Sequence, residues 1–256
     1  MYLRDDIKKY FSDSPFIFEQ MMALRGECFR HQKGRMTQRI QLGDKTYFIK
    51  QHTGVGWKEI IKNILQFRLP VMGAKNEWRA IEKLQSLGVS VPAIAAYGER
   101  GKQSFILMEE LKPIISLEDL AKQFMTSPPS FIFKCRLIEA VAKIARILHE
   151  NGLNHRDFYL CHFLLDTSVE CGDKLPALAL IDLHRVQIRK VVPTRWIIKD
   201  LAGLYFSSKD AGLTSSDRYR FIKAYRGKPL RDILSDEKNC WKKVRARGEH
   251  LYNSHL

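Results

Sequence analysis

Asn154-His155-Arg156-Asp157-Phe158-Tyr159-Leu160-Cys161-His162-Phe163-Leu164-Leu165-Asp166 is the stretch on which the reading of this 256-residue chain turns. Polar, chemically capable side chains run directly into Phe163-Leu164-Leu165, the composition of a loop that feeds a buried strand. A helical pattern precedes it. Leu137, Val141, Ile144, Ala145 and Leu148 fall on one face, and Asn151-Gly152 supplies a C-terminal stop. The predicted order is therefore helix, His-Arg-Asp loop, strand. A carboxylate in such a loop is suited to accept a proton from an incoming hydroxyl.

Three other segments complete a set. Thr46-Tyr47-Phe48-Ile49-Lys50 is a β-rich run ending in lysine. Asn76-Glu77-Trp78-Arg79-Ala80-Ile81 opens a helix with an acid near its start, and Leu87-Gly88 closes it. Leu178-Ala179-Leu180-Ile181-Asp182-Leu183-His184 is an apolar strand running into an aspartate. Each has a bland reading: Lys50 as a strand-end surface charge, Glu77 as a first-turn acid favoured by the helix dipole, Asp182 as a turn former. Together, and in this order, they match the parts of a kinase-type phosphotransferase. Lys50 would hold the α- and β-phosphates of ATP, oriented by Glu77. Asp157 would take the proton, and Asp182 would bind Mg²⁺, a hard cation that favours carboxylate oxygen. All four are expected to converge around the nucleotide. The expected fold is α+β and bilobal, protein-kinase-like. A small β-rich N-lobe would occupy residues 1–110, and a larger, mainly helical C-lobe with the catalytic loop and a basic C-terminal tail residues 111–256.

The neighbouring positions depart from a protein kinase. His162 falls where protein kinases place an Asn that binds a second metal ion. Imidazole is a poorer ligand for Mg²⁺ than an amide oxygen, so a metal role and a structural hydrogen bond both stay open. Tyr159 stands where many protein kinases carry a phosphate-contacting lysine, which leaves another cation, such as Arg185, to neutralise the transferring group. Ser104 to Leu111 is an apolar strand turning acidic at Glu109-Glu110, and backbone groups at Glu109 and Leu111 would meet adenine. Strands are expected at Cys28–Arg35 and Met36–Leu42. The phosphate loop between them, His31-Gln32-Lys33-Gly34-Arg35, has a single glycine.

The net charge is +15, from 43 basic and 28 acidic residues. That balance implies an anionic partner: nucleic acid, a membrane surface or a phosphorylated substrate. No zinc-finger spacing, basic zipper or RNP-like aromatic run supports nucleic acid. No apolar run is long enough to span a bilayer, and Met1–Tyr10 lacks the apolar region of a secretory signal. The five cysteines, 28, 135, 161, 171 and 240, are scattered without a C-x-x-C pair, which favours reduced thiols over a disulfide frame or zinc site.

Further segments organise the rest. Ser14-Pro15 reads as an N-cap and first helical position for a helix through about Leu24. Trp57, Ile60, Ile61, Ile64 and Leu65 recur at helical spacing in an amphipathic insertion at about 54–70, with Lys58, Lys62 and Arg68 off the stripe. Its apolar face is either core or a surface that meets a membrane or an acyl-bearing partner. Ser116-Leu117-Glu118-Asp119 is a capped helix start. Trp196 to Phe206 is an apolar helix whose Asp200 is either a surface acid or a buried one capping the catalytic loop. The basic stretch Lys238–His255 is either a solvated face or part of an anion-binding surface.

The pattern N-H-R-D-x-Y-x-C-H-F-L-L at 154–165 resembles the lipopolysaccharide core heptose(I) kinase family. Ile181-Asp182-Leu183-His184-Arg185, Lys58-Glu59-Ile60-Ile61-Lys62-Asn63, Asn76-Glu77-Trp78 and Lys199-Asp200-Leu201-Ala202-Gly203-Leu204-Tyr205-Phe206-Ser207-Ser208 share the resemblance, which covers about Glu27 to Leu234. It implies transfer of the γ-phosphate of ATP to a hydroxyl of the first heptose of the inner core, and His162 belongs to the family's pattern. It also implies a lipopolysaccharide core precursor as anionic acceptor, peripheral attachment at the cytoplasmic face of the inner membrane, and association with acyl-loaded acyl carrier protein, for which the Trp57–Leu65 stripe is one candidate contact. The alternatives are a Kdo or other sugar kinase of the same fold, and a pseudokinase-like scaffold. A protein kinase is disfavoured because no A-P-E-like segment follows Asp182.

Overall fold

The computed structural model describes residues 1–11, 15–32, 34–54, 73–169 and 174–254. The Trp57–Leu65 stripe, Ser14, Lys33 and Cys171 lie outside the described residues. The chain divides into two compact units, Met1–Lys83 with Pro92–Leu111, and Leu84–Val91 with Lys112–Leu256.

The first unit is built on an antiparallel six-stranded sheet. In chain order its strands are β1 (Tyr2–Leu3), β2 (Glu27–Gln32), β3 (Arg35–Leu42), β4 (Lys45–His52), β5 (Ile94–Arg100) and β6 (Gln103–Glu109), and in space they run β1-β5-β6-β4-β3-β2. The two-residue period of β4 puts Tyr47, Ile49 and Gln51 on the buried face and Lys50 on the other. Two short helices, α1 (Asp5–Lys8) and α2 (Ile17–Ala23), cover that face and seat Ile7, Phe18 and Met21 against Phe105 and Leu107. α2 begins at Ile17 with Phe16 as its N-cap, so Pro15 precedes the helix rather than opening it. The buried amide of Gln51 donates to the Met21 carbonyl at 2.8 Å and accepts from Gln38 at 2.9 Å, which satisfies polar groups that would otherwise be orphaned in this core. Helix α3 (Lys75–Ser86) carries Glu77 in its first turn, and its Trp78 packs on Tyr2 and Tyr97.

The second unit is mainly helical. After β7 (Ile114–Ser116) come α4 (Leu117–Thr126) and α5 (Phe131–Glu150), each N-capped by a serine hydroxyl, from Ser116 and Ser130. α5 ends as expected, with Gly152 in the left-handed region at φ +79°. β8 (Leu153–Asn154) pairs with β11 (Gln187–Ile188), and β9 (Phe163–Asp166) forms a hairpin with β10 (Leu178–Leu180) in a three-stranded sheet ordered β10-β9-β7. The predicted strand 178–184 therefore stops at Leu180. The Leu180 amide donates to Ser90 O at 2.9 Å and that of Ile181 to His162 O at 3.0 Å, after which the chain turns at Asp182. Four more helices follow: α6 (Thr194–Ser207), α7 (Ser215–Arg226), α8 (Leu230–Asp236) and α9 (Lys238–Asn253). The basic C-terminal stretch is thus a helix packed on α6. Gly248 lies close to Tyr205, and Glu249 accepts from the Tyr205 hydroxyl at 2.5 Å and from Lys209 at 2.7 Å. Among the described residues no helix is long and apolar enough to cross a membrane.

Candidate active site

The His155-Arg156-Asp157 loop is held from beneath. Asp200, on α6 and 0% exposed, accepts the backbone amides of His155 at 2.6 Å and Arg156 at 2.8 Å. A carboxylate receiving two N–H groups away from water makes strong, charge-assisted bonds. They hold Arg156 at φ +75°, a left-handed conformation that a side chain with a Cβ otherwise avoids. His149 stands 3.4 Å from the same carboxylate through Nε2 and 2.7 Å from the Tyr225 hydroxyl through Nδ1. Gly203 allows α6 to approach, because a Cβ there would already sit 3.1 Å from the Phe158 carbonyl and the Tyr159 ring. Of the two readings of Asp200, the buried cap is the one realised.

His155 links the loop to the segment carrying Asp182. Its Nε2 lies 3.1 Å from the Ile181 carbonyl, which can only accept, so Nε2 carries the proton. Burial pushes this imidazole below its ordinary pKa and keeps it neutral, with the Asp200 charge opposing. Phe158, 1% exposed, fills the space between the His149, His155 and Phe163 rings.

Above this base Asp157 presents its carboxylate to Arg185, whose Nη1 lies 2.7 and 3.0 Å from the two oxygens. Asp182 occupies the left-handed region at φ +58° and ψ +51°. Its Oδ1 is 2.5 Å from His184 Nδ1, and its Oδ2 is 3.7 Å from His162 Nε2. His162 Nδ1 lies 2.7 Å from the Asp157 carbonyl and must donate to it, which turns the Nε2 face of the ring toward Asp182. A carboxylate oxygen and an imidazole nitrogen facing each other across 3.7 Å are a donor set that a divalent cation fits. Among the described residues no cluster of three or more His, Cys, Asp or Glu could enclose a metal ion by itself. Cys161 is half-buried, and burial, with the charge of Glu118 next, pushes its thiol up to about 11.

In the first unit Lys50 Nζ and Glu77 Oε1 are 2.5 Å apart, with the side chains 11% and 2% exposed. The other Glu77 oxygen is buried without a partner among the described residues. The Glu109 carboxylate is engaged by Arg4 at 2.8 Å and Lys45 at 3.1 Å, and its amide donates to Ala93 O at 2.9 Å. The Glu110 amide donates to Thr46 O at 3.0 Å. The Glu109 side chain is thus structural, held by Arg4 and Lys45.

The structure places Asp157, His162 and Asp182 together in the second unit, and Lys50 with Glu77 in the first. Sequence reasoning missed that His184 holds Asp182, a short-range signal in Asp182-Leu183-His184. It also missed that Arg185 pairs with Asp157 itself.

The profile of the lipopolysaccharide kinase (Kdo/WaaP) family matches residues 19–225. The chain belongs to this family. The Kdo/WaaP family includes the lipopolysaccharide core heptose(I) kinase WaaP of Pseudomonas aeruginosa, to which the chain is 45% identical over 240 residues, 92% of this chain and 90% of that protein. It is also 45% identical over 239 residues to the enzyme of the same description from Escherichia coli K12, covering 91% and 90%. A solved structure described as WaaP in complex with acyl carrier protein matches with a TM-score of 0.83 at 39% identity over 98% of each chain. The Kdo/WaaP fold of this chain is α+β and protein-kinase-like, with a small antiparallel sheet in one lobe and helices in the other.

Proposed function

We infer that this chain is an ATP-dependent sugar kinase that phosphorylates the first heptose of the lipopolysaccharide inner core. The observation that carries the reading is the loop geometry, a buried Asp200 pinning two amides so that Asp157 is presented with Arg185 on its carboxylate. Its specificity for heptose rests on the 45% identity to the named heptose(I) kinases.

Phosphoryl transfer depends on positioning and charge neutralisation more than on covalent help from the protein. Asp157 orients the acceptor hydroxyl and takes its proton. Arg185, already on that carboxylate, is placed to meet charge on the transferring group in the role that a lysine at position 159 would fill in a protein kinase. Lys50, oriented by Glu77, binds the α- and β-phosphates, and the backbone at Glu109 and Leu111 receives adenine. Asp182 and His162 would hold Mg²⁺, which when bound neutralises phosphate charge. Asp200 and His155 fix the loop, so that little reorganisation remains when substrate arrives.

The acceptor is a lipid-anchored anionic glycan, and a chain of net charge +15 is drawn to it and to the cytoplasmic face of the inner membrane, where we place the protein as a peripheral enzyme. Acyl carrier protein is the proposed second partner. The notable feature here is an apolar cavity of about 560 Å³ in the second unit, lined by Leu137, Val141, Leu201, Phe221, Trp241 and Val244. It falls within the usual size of ligand pockets, roughly 300–1,000 Å³, and lysines and arginines line it too, including Lys134, Arg218 and Arg245. It suits an acyl chain delivered by an acidic carrier.

The test is ADP release and mass spectrometry of product with heptose-bearing and Kdo-terminated acceptors. We expect phosphate on heptose, and its loss in Asp157→Ala and Asp182→Asn variants that retain the wild-type circular dichroism spectrum. Equal turnover of the Kdo-terminated acceptor would favour the Kdo-kinase alternative, and no turnover of any acceptor would favour the scaffold.

A further inference from the structure

Trp196 is ringed by cations. Arg156 Cζ lies 5.4 Å, Arg189 Cζ 5.6 Å, Arg195 Cζ 5.6 Å and Lys199 Nζ 5.3 Å from its ring centroid. No two of these charges can therefore be more than twice 5.6 Å apart. Acids do not balance them. Asp157 is engaged with Arg185, and Asp200 is buried under two backbone amides. Arg189 points to the neutral oxygens of Asn154 and Gln187. Among the described residues Arg156, Arg195 and Lys199 have no carboxylate partner, and the Arg156 Nε is buried without an acceptor.

Such an arrangement is unfavourable by itself. Burial, then the charges of Arg156 and Arg185, hold the Lys199 ammonium below its ordinary pKa against the opposing charge of Asp157, and burial, then Arg185, does the same to Arg156 against Asp157 and Asp200. One indole returns little per cation, and its two faces cannot serve four cations equally. A bound anion relieves the repulsion and supplies the missing acceptors. The place of the cage says which anion. Arg156 adjoins Asp157 in the chain, on the proton acceptor's side of the reaction. In an in-line displacement that side belongs to the incoming hydroxyl, whereas the nucleotide leaves from the opposite side.

We propose that Arg156, Arg195 and Lys199, arrayed on Trp196 beside Asp157, form a subsite that grips an anionic group, carboxylate or phosphate, on the acceptor glycan. The proposal rests on the sugar-kinase reading above and deepens it. The subsite makes recognition of the acceptor electrostatic at a fixed distance from the reacting hydroxyl, so that an acidic neighbour selects which sugar is presented to Asp157.

The experiment uses the full chain, with any carrier it retains on purification, in Arg195→Gln and Lys199→Gln variants. Arg195 is exposed, so its replacement leaves folding intact even where that of the half-buried Lys199 does not. Each variant is expected to raise KM for the acceptor at least tenfold, about 1.4 kcal/mol, with KM for ATP within twofold of wild type. Carboxyl-reduced and dephosphorylated acceptors separate the two sources. The modification that raises the wild-type KM and erases the difference between wild type and variants marks the group bound. Acceptor-glycan binding by titration calorimetry separates this claim from the activity. A wild-type protein that makes no phosphorylated heptose ends the sugar-kinase reading, yet a tenfold loss of glycan affinity in Arg195→Gln still supports the subsite. Glycan affinity within twofold of wild type in Arg195→Gln, or equal wild-type affinity for acidic and neutralised acceptors, overturns it.

Discussion

Replacing Asp200 by Asn removes one charge and almost no volume, and it isolates what holds the His155-Arg156-Asp157 loop. The carboxylate accepts the amides of His155 and Arg156 at 2.6 and 2.8 Å. Hydrogen bonds to a charged group contribute about 1.5–3 kcal/mol each, against about 0.5–1.5 for neutral ones. An asparagine offers one oxygen, so one amide keeps a weaker bond. The other amide faces an NH₂ donor and is left unsatisfied in a buried site, which costs about 1–3 kcal/mol more. The expected loss is roughly 3–5 kcal/mol, a large share of the ~5–15 kcal/mol by which domains are stable. At roughly 2–4 °C per kcal/mol for a chain of this size, Tm should fall by about 10 °C in a thermal melt followed by circular dichroism. Turnover measured well below the new transition should fall about a hundredfold or more, equivalent to about 2.7 kcal/mol of barrier, because Asp157 follows the two amides directly in the chain. A variant with Tm within about 2 °C of wild type would refute the idea that this carboxylate organises the loop.

Three further outcomes can be checked. Gly152→Ala places a Cβ 1.9 Å from the Arg189 carbonyl at φ +79° and forces β8 and β11 apart, whereas Gly88→Ala, at φ +73° in open space, carries only the left-handed penalty of about 1–2 kcal/mol; urea midpoints that fall equally in both would contradict this. Burial pushes the Asp217 carboxyl up, but the ammonium of Lys134 and the Thr214 amide and hydroxyl outweigh it and hold the pKa below the ordinary 3.8. A depressed carboxylate stabilises the fold above its unfolded pKa and ceases to do so as pH falls through the folded one, so the Tm gap between wild type and Asp217→Asn should narrow on acidification below about pH 4, and a gap that widens would reverse the sign. Finally, with its thiol at about 11, Cys161 should react with maleimide at pH 7.5 well after the exposed Cys28, as peptide mapping of a labelling time course would show.

The local pieces of this protein were legible because their signals are local. Alternating burial along 45–52 places Lys50 opposite the core face, and helical spacing with a glycine stop defines the element before the His-Arg-Asp loop. Boundaries were less legible where a tertiary bond overrides propensity, as at Leu180, where apolar residues continue but the strand does not.

The sequence by itself determined the order of parts: lysine strand, acid-bearing helix, loop aspartate and second aspartate, each set by hydrophobic period and punctuation over a few residues. Only the tertiary structure decided which charges meet. It carried Asp200 across 45 positions to the His155 amide, set Arg185 on Asp157 across 28, and gathered four cations on Trp196. Such pairings have no sequence period, because a charge finds its partner through the packing of elements that are distant along the chain, and the surrounding low dielectric then makes each pairing, or its absence, matter.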